Sequence, residues 1–291
     1  MGPSPFPRYA PPAPPSPAPV VRVAILGMGR LGRTVAPLLA AAGHAVLPWR
    51  RGEPVPAADI AWITVPDGAV ADVARLVPPG PVVLHASGAL GVDVLRPHRP
   101  AGSLHPLATF PGPDVAVPDL AGVPAAVAGD PEALAAAAAL ASSLGLRPVT
   151  VPGDRRLYHA ALVIAGNFAT VLLAEASGLL AAAGVDPAEA PGMLLPLARA
   201  SLENAAIPDP GAALTGPFAR GDAHTVAAHR RALAAASPRL LPAYDELGRL
   251  ALALARLPTP RRDAVLRALA ADPATTAATA PGPAGSPSER R

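Results

Sequence analysis

The chain has 291 residues, enough for one large domain or two ordinary ones with their own cores. It holds no Lys, Cys or Gln and only two Asn, and all 24 of its basic residues are Arg. No lysine can therefore act as an acid, and no disulfide, thiolate or Cys-ligated metal is available. The lack of Cys is compatible with a cytosolic protein. The net charge is only +3, the arginines are scattered and aromatics make up 3%. The clustered basic and aromatic footprint of a nucleic-acid binder is missing.

Residues 1–19 are Pro-rich without the apolar core of a signal peptide, and 272–291 are rich in Pro, Ala and Thr. Both read as disordered tails. Between them the first half alternates β-like runs with helical stretches. Strands are expected at Val21–Leu26, Ala45–Trp49, Ile60–Val65 and Val82–His85. Helices are expected at Leu31–Ala42 and Ala69–Leu76. Gly102–His105, Pro124–Ala128 and Arg147–Val151 complete a sheet, with Pro131–Leu144 helical. Such alternation predicts an α/β Rossmann architecture, a doubly wound and mainly parallel sheet.

The second half carries no strand pattern. It reads as helices at Arg155–Ala183, Pro187–Ala206, Asp222–Ala236, Arg239–Ala255 and Arg261–Ala270. Asp186–Pro187 and Asp222 read as helix starts. The boundary between a dinucleotide-binding domain (20–153) and an all-α domain (154–271) is placed near Gly153. Leu157–Leu180 is the most apolar stretch, but Asn167, Glu175 and Gly178 interrupt it. It is expected to be a buried core helix and not a membrane span.

Val23-Ala-Ile-Leu26 runs into Gly27-Met28-Gly29-Arg30-Leu31-Gly32 and then a helix. This spacing suits a pyrophosphate. Gly27 makes a tight turn, Gly29 lets the backbone approach, Gly32 lets helix and strand pack, and the free N–H groups of the helix start face the anion. Val65 and Pro66 follow the third strand at the same edge. The second strand ends in Arg50-Arg51 where NAD enzymes carry an acidic residue, so NADP(H) is expected, with Arg30 a third candidate for the 2′-phosphate. The competing reading is two solvated loop arginines.

Further motifs follow in order: Val65-Pro-Asp67, His85-Ala-Ser87-Gly-Ala, Ser103-Leu-His105-Pro-Leu-Ala-Thr-Phe110, Tyr158-His159, Gly166-Asn167-Phe168, and Leu214-Thr-Gly-Pro217-Phe-Ala-Arg-Gly-Asp222. Together they resemble the uncharacterised family that joins a Rossmann-like domain to a C-terminal helical domain of unknown function. Its architecture is similar to pyrroline-5-carboxylate reductase, ketopantoate reductase and the 6-phosphogluconate dehydrogenase superfamily. The resemblance covers roughly residues 20–270. It implies a substrate site in an interdomain cleft and a homodimer formed through the helical domain. Ketopantoate reductase and the hydroxyacid dehydrogenases use a Lys acid, which this chain lacks. The departure favours an imine substrate, or a ketone reduced with help from His or Tyr.

His105 and Ser87 follow strands on the ligand-binding side of such a sheet. His105 is an acid or base, or else a structural hydrogen bond to its loop. His85 ends a strand and its side chain is expected inside. Asn167 is an amide in an apolar helix, held by a ligand or by neighbouring backbone. His159 lies two turns earlier on the same face, and Tyr158 reads as a core residue as readily as a site one. Thr215, Arg220 and Asp222 form a substrate-carboxylate clamp or cap the next helix, with Asp222 the favoured cap. His44, His98, His224 and His229 read as surface residues, and no metal site is read. The leading expectation is an NADP(H)-dependent oxidoreductase of a small C=O or C=N substrate. The alternatives are a ketopantoate-type reductase with a non-Lys acid and a non-catalytic NADP(H) sensor. No nucleic-acid or membrane partner is expected.

Overall fold

In a computed structural model of the chain, residues 20–110, 119–206 and 209–274 are described. The expected tail at 1–19 lies outside them, as does the expected tail at 272–291 from residue 275 onward. Seven strands form one sheet in the order β2-β1-β3-β4-β5-β6-β7: β1 (Arg22–Leu26), β2 (Ala45–Trp49), β3 (Ile60–Ile63), β4 (Val82–His85), β5 (Ala101–Pro106), β6 (Pro124–Gly129) and β7 (Arg147–Thr150). All neighbours are parallel except β5 and β6, which run antiparallel. The sheet is thus mainly parallel, with its direction reversed at β6.

The central strands are apolar on both faces because both faces are covered. Val23, Ala24, Ile25 and Leu26 have no exposed surface, and Trp62 and Ile63 of β3 are equally enclosed. One face packs Ile25, Trp62, Leu84 and Leu104 against α1 (Arg30–Ala41) and α3 (Pro131–Ser143); the other packs Ala24, Leu26 and Ile63 against α2 (Val70–Ala74). From β1 the chain passes through α1 to β2 on one side, then returns to β3 on the other. The strand order therefore reverses between β1 and β3, and a crevice opens at their C-terminal ends.

Helices follow β7. The first runs as α4 (Arg155–Leu162), a π-helical stretch at Val163–Phe168 and α5 (Ala169–Ala182). Then come α6 (Ala190–Ala205), α7 (Pro210–Ala213), α8 (Gly216–Arg220), α9 (Ala223–Ala236), α10 (Leu241–Leu254) and α11 (Thr259–Ala270). The change from mixed to helical structure falls after Thr150. The contacts divide the chain into two compact units, Met1–Asn167 and Phe168–Arg291. The first unit keeps the start of the long helix because Tyr158 bonds to His105 of β5 and Arg155 to the Ser87 carbonyl just after β4.

Four expectations need correction. The helix at Arg155–Ala182 is not a core helix: none of its most apolar stretch is buried. By length and composition it is long and apolar enough to cross a membrane. In the second unit α5 packs on α6, yet Val171, Leu172, Met193, Leu195, Leu197 and Leu202 remain exposed. Asp186 does not start a helix: its carboxylate accepts from Ala188 N–H and caps a turn, and α6 begins at Ala190. The short helices α7 and α8 had no sequence signal. His44 is buried and not at the surface, with Nδ1 accepting from Val21 N–H at 3.4 Å. His98 is half-buried, its ring bonded to the Ala74 carbonyl, whereas His224 and His229 are exposed as expected.

The second unit has its own small core, Val226, Leu252, Val265 and Leu269, with Phe218 and Tyr244 against it. Arg230 is buried beside it and pairs with buried Asp245 through two bonds of 2.8 and 3.0 Å. Its third nitrogen donates to the carbonyls of Ala268 and Ala271. One guanidinium thus ties α9, α10 and the end of α11.

Candidate functional site

The crevice between β1 and β3 is built from glycine. Gly27 has φ +130°, and a Cβ there would lie 2.8 Å from Val65 Cγ1 and 2.9 Å from the Thr64 carbonyl carbon. Thr64 Oγ1 donates to the Gly27 carbonyl at 2.6 Å and pins the turn. A Cβ on Gly32 would sit 2.0 Å from the Gly27 oxygen, so the helix approaches the turn as only glycine permits. Gly29 is the N-cap of α1 with no side chain over the helix start, and a Cβ there would meet nothing within 4 Å. This cradle has the shape and free N–H groups a pyrophosphate requires.

A cleft of about 670 Å³ opens beside it, lined by Gly27, Met28, Arg33, Trp49, Arg50, Arg51 and Val65 among others. Arg50 and Arg51 line it as the sequence suggests. Arg33, not Arg30, joins them, with Nε donating to the Met28 carbonyl at 2.9 Å. Arg33 was missed because it lies in the first turn of α1, just beyond the glycine motif that pointed to Arg30. Leu31 packs its side chain against the core and does not line the cleft. Pro66 is exposed and does not line the cleft.

A second cluster forms where β4, β5 and α4 meet. The His105 ring meets Tyr158 edge to face, with Nδ1 2.9 Å from the phenolic oxygen. The Arg155 guanidinium lies over the Tyr158 ring, 5.2 Å from its centre, and donates through Nη2 to the Ser87 carbonyl at 3.0 Å. Its Nε and Nη1 are enclosed without an acceptor. Gly88 lies between the rings of His105 and His159: a Cβ there would be 2.9 Å from both. Burial, then the charges of Arg155 and His159, push His105 down to about 4, with Asp67 opposing. Burial and Arg155 likewise push fully enclosed His85 down to about 4. Both imidazoles are neutral at pH 7. Burial raises the Tyr158 phenol and lowers the Arg155 guanidinium.

His105, His159 and Asn167 line one cavity of about 370 Å³, together with Thr109, Leu162 and Gly166. Arg155, His159, Leu162 and Gly166 fall on one face of the helix by their spacing. Gly166 and Asn167 lie in the π-helical stretch, a local widening often found at functional sites. Asn167 is exposed at the cavity wall, which corrects the expectation of a buried amide.

Ser87 stands apart from this cavity. Its Oγ accepts from Ala89 N–H and Leu90 N–H at 3.1 and 3.0 Å, so the hydroxyl shapes the turn that carries Gly88. In the second unit Asp222 caps α9 as expected, accepting from Thr225 N–H and Oγ1 at 3.0 and 2.7 Å; these bonds hold its carboxyl below the usual range. Thr215 and Arg220 are both exposed, one at the start and one at the end of α8. Arg155, missed in the sequence, carries no motif and is recognisable only from its burial and contacts.

Residues 123–251 match the family described as "Domain of unknown function (DUF2520)". Over 124 residues the chain is 38% identical to the glycerol-3-phosphate dehydrogenase [NAD(P)+] of Gloeobacter violaceus, a match covering 36% of this chain and 40% of that protein. Among solved structures it is similar to a Bacteroides fragilis protein provisionally named an NADP oxidoreductase, at 22% identity and TM-score 0.68 over 80% of this chain and 98% of the other. It is also similar to 1-pyrroline-5-carboxylate reductase from Streptococcus pyogenes, at 13% identity and TM-score 0.53 over 80% and 99%. A reductive aminase from Aspergillus terreus in complex with NADPH matches at 16% identity and TM-score 0.58 over 84% and 98%. At these identities the structural likeness is one of fold. The chain therefore carries the domain of unknown function DUF2520 over residues 123–251, within a Rossmann-type fold followed by helices.

Proposed function

We propose that this protein is an NADP(H)-dependent oxidoreductase acting on a small C=O or C=N substrate. The observation that carries this reading is the glycine cradle at the strand-order reversal, opening into a cleft lined by Arg33, Arg50 and Arg51. The cradle fits a pyrophosphate, and guanidinium forks suit a 2′-phosphate better than a ribose hydroxyl. When bound, the nicotinamide supplies or accepts a hydride. The cofactor-binding residues would be Gly27, Met28, Gly29, Gly32 and Val65 around the dinucleotide, with the three arginines at its phosphates.

The cavity of His105, His159 and Asn167 would hold the substrate. A neutral His105 offers a hydrogen bond and no net charge to the reacting atom, and Asn167 offers an amide. The relatives named for pyrroline-5-carboxylate reduction, reductive amination and glycerol-3-phosphate oxidation support the reaction class and leave the substrate open. The uncovered apolar residues of α5 and α6 support self-association into a homodimer.

The test is a panel assay. NADPH oxidation with small keto acids, ketones and cyclic imines should show turnover for at least one class. Replacing His105 and His159 by Ala should abolish it while NADPH affinity stays within about twofold. Tight NADPH binding with no turnover across the panel, and no effect of these substitutions on any function, would favour the sensor instead.

A further inference from the structure

If the site reduces a carbonyl, the oxygen must gain a proton, and the chain has no Lys to give one. His105 is neutral at pH 7, so it carries no spare proton. A neutral imidazole can release its N–H only if the other ring nitrogen takes up a proton in the same event. Nδ1 has such a partner, the Tyr158 hydroxyl at 2.9 Å.

Tyr158 is in turn held from one side. The Arg155 guanidinium covers its ring and is fixed to the Ser87 carbonyl. Its Nε and Nη1 are shut away from solvent without acceptors. An enclosed cation with unused donors is a counter-charge for an anion forming beside it. The other groups that act on His105 are His159 of the same helix, His85 of β4 and Asp67 after β3. Among these Asp67 alone is acidic, and it follows the C-terminal end of β3, the strand beside β4.

We propose that Tyr158 is the proton source of this site, acting through His105, and that Arg155 positions Tyr158 and balances the charge it develops. The proposal rests on the oxidoreductase reading and narrows its substrate to a carbonyl, because an iminium arrives already protonated. As negative charge grows on the carbonyl oxygen, the His105 Nε2–H bond breaks and an O–H bond forms. In concert the Tyr158 O–H bond breaks and an Nδ1–H bond forms. Tyrosinate is left beside Arg155. After the product leaves, a proton from water enters at Nε2, and Nδ1 returns its proton to the tyrosinate. The net transfer is one proton from water to the substrate oxygen.

The experiment is a pH titration of the ¹⁵N-labelled full chain by long-range ¹H–¹⁵N correlation, assigning His105 with a His105→Asn variant. The wild type should show the Nε2–H tautomer and remain neutral down to about pH 5. Tyr158→Phe should lose that tautomer preference and slow carbonyl turnover on the order of 100-fold at pH 7, a general-acid effect. Arg155→Met should raise the His105 titration toward its ordinary range, and Arg155→Lys should restore most of the wild-type value. A wild-type His105 in the Nδ1–H form overturns the proposal even where a variant fails to fold. So does Tyr158→Phe with unchanged tautomer and turnover. The tautomer is read without nucleotide, so failure of NADPH to bind would sink the oxidoreductase reading separately.

Discussion

Gly88 and His105 are so close that a single methyl group would not fit between them: a Cβ on Gly88 would lie 2.9 Å from His105 Cε1 and 3.0 Å from Nε2. The same methyl would lie 2.9 Å from the His159 ring. Gly88→Ala should therefore displace one or both imidazoles. We expect turnover to fall at least tenfold while NADPH affinity is unchanged, because the glycine cradle lies at a different pair of strands. Equal loss of nucleotide binding would show that the substitution unfolds the sheet edge instead.

The two neutral histidines make stability depend on pH. His85 and His105 are pushed down from 6.5 to about 4, so the unfolded chain binds their protons first as pH falls. Their contribution is fully present above pH 6.5 and is lost as pH falls through about 4. The loss is on the order of a few kcal/mol for the pair. The urea midpoint should drop between pH 7 and pH 4.5, and a His85→Asn/His105→Asn variant should show a flatter dependence. An unchanged midpoint would mean that both imidazoles titrate normally.

The helical unit depends on one buried ion pair. Arg230→Ala would leave Asp245 buried and unpaired and free two helix-end carbonyls. We expect about 3–5 kcal/mol of lost stability, read by urea unfolding. Arg230→Met combined with Asp245→Leu should recover much of it, since the charge left behind causes most of the damage. A double variant as unstable as the single would point to the carbonyl bonds.

The uncovered faces of α5 and α6 predict a homodimer. Light scattering at micromolar concentration should give twice the mass of one chain. Val171→Glu with Leu197→Glu, two exposed positions, should reduce it to that of a monomer. A monomeric wild type would remove the proposal.

Most of the sheet was legible because its strands are short apolar runs bounded by Gly and Pro, and because the glycine turn has a spacing with one mechanical meaning. The reversal at β6 was not, since Pro124–Gly129 is apolar in either direction. The Leu157–Leu180 stretch misled for a related reason: apolar composition records that a surface will be covered, not that this chain covers it. In the site, His105 and His159 were found from strand ends and helical spacing. Arg33, Arg155 and the part played by Tyr158 depend on contacts as distant in sequence as His105 with Tyr158. Asn167 was reached for the wrong reason, as a buried amide, yet it lies at the cavity wall.

The most direct measurement is a fluorescence titration of the full chain with NADPH and with NADH, repeated on Arg50→Ala/Arg51→Ala. The wild type should prefer NADPH. The double variant should lose about 10–100-fold in NADPH affinity, as removal of charged phosphate bonds implies, with NADH little changed. Arg33→Ala should weaken both nucleotides, because it also braces the Met28 carbonyl of the turn. A wild type that binds neither nucleotide would contradict the reading at its base, leaving the glycine turn a structural feature alone.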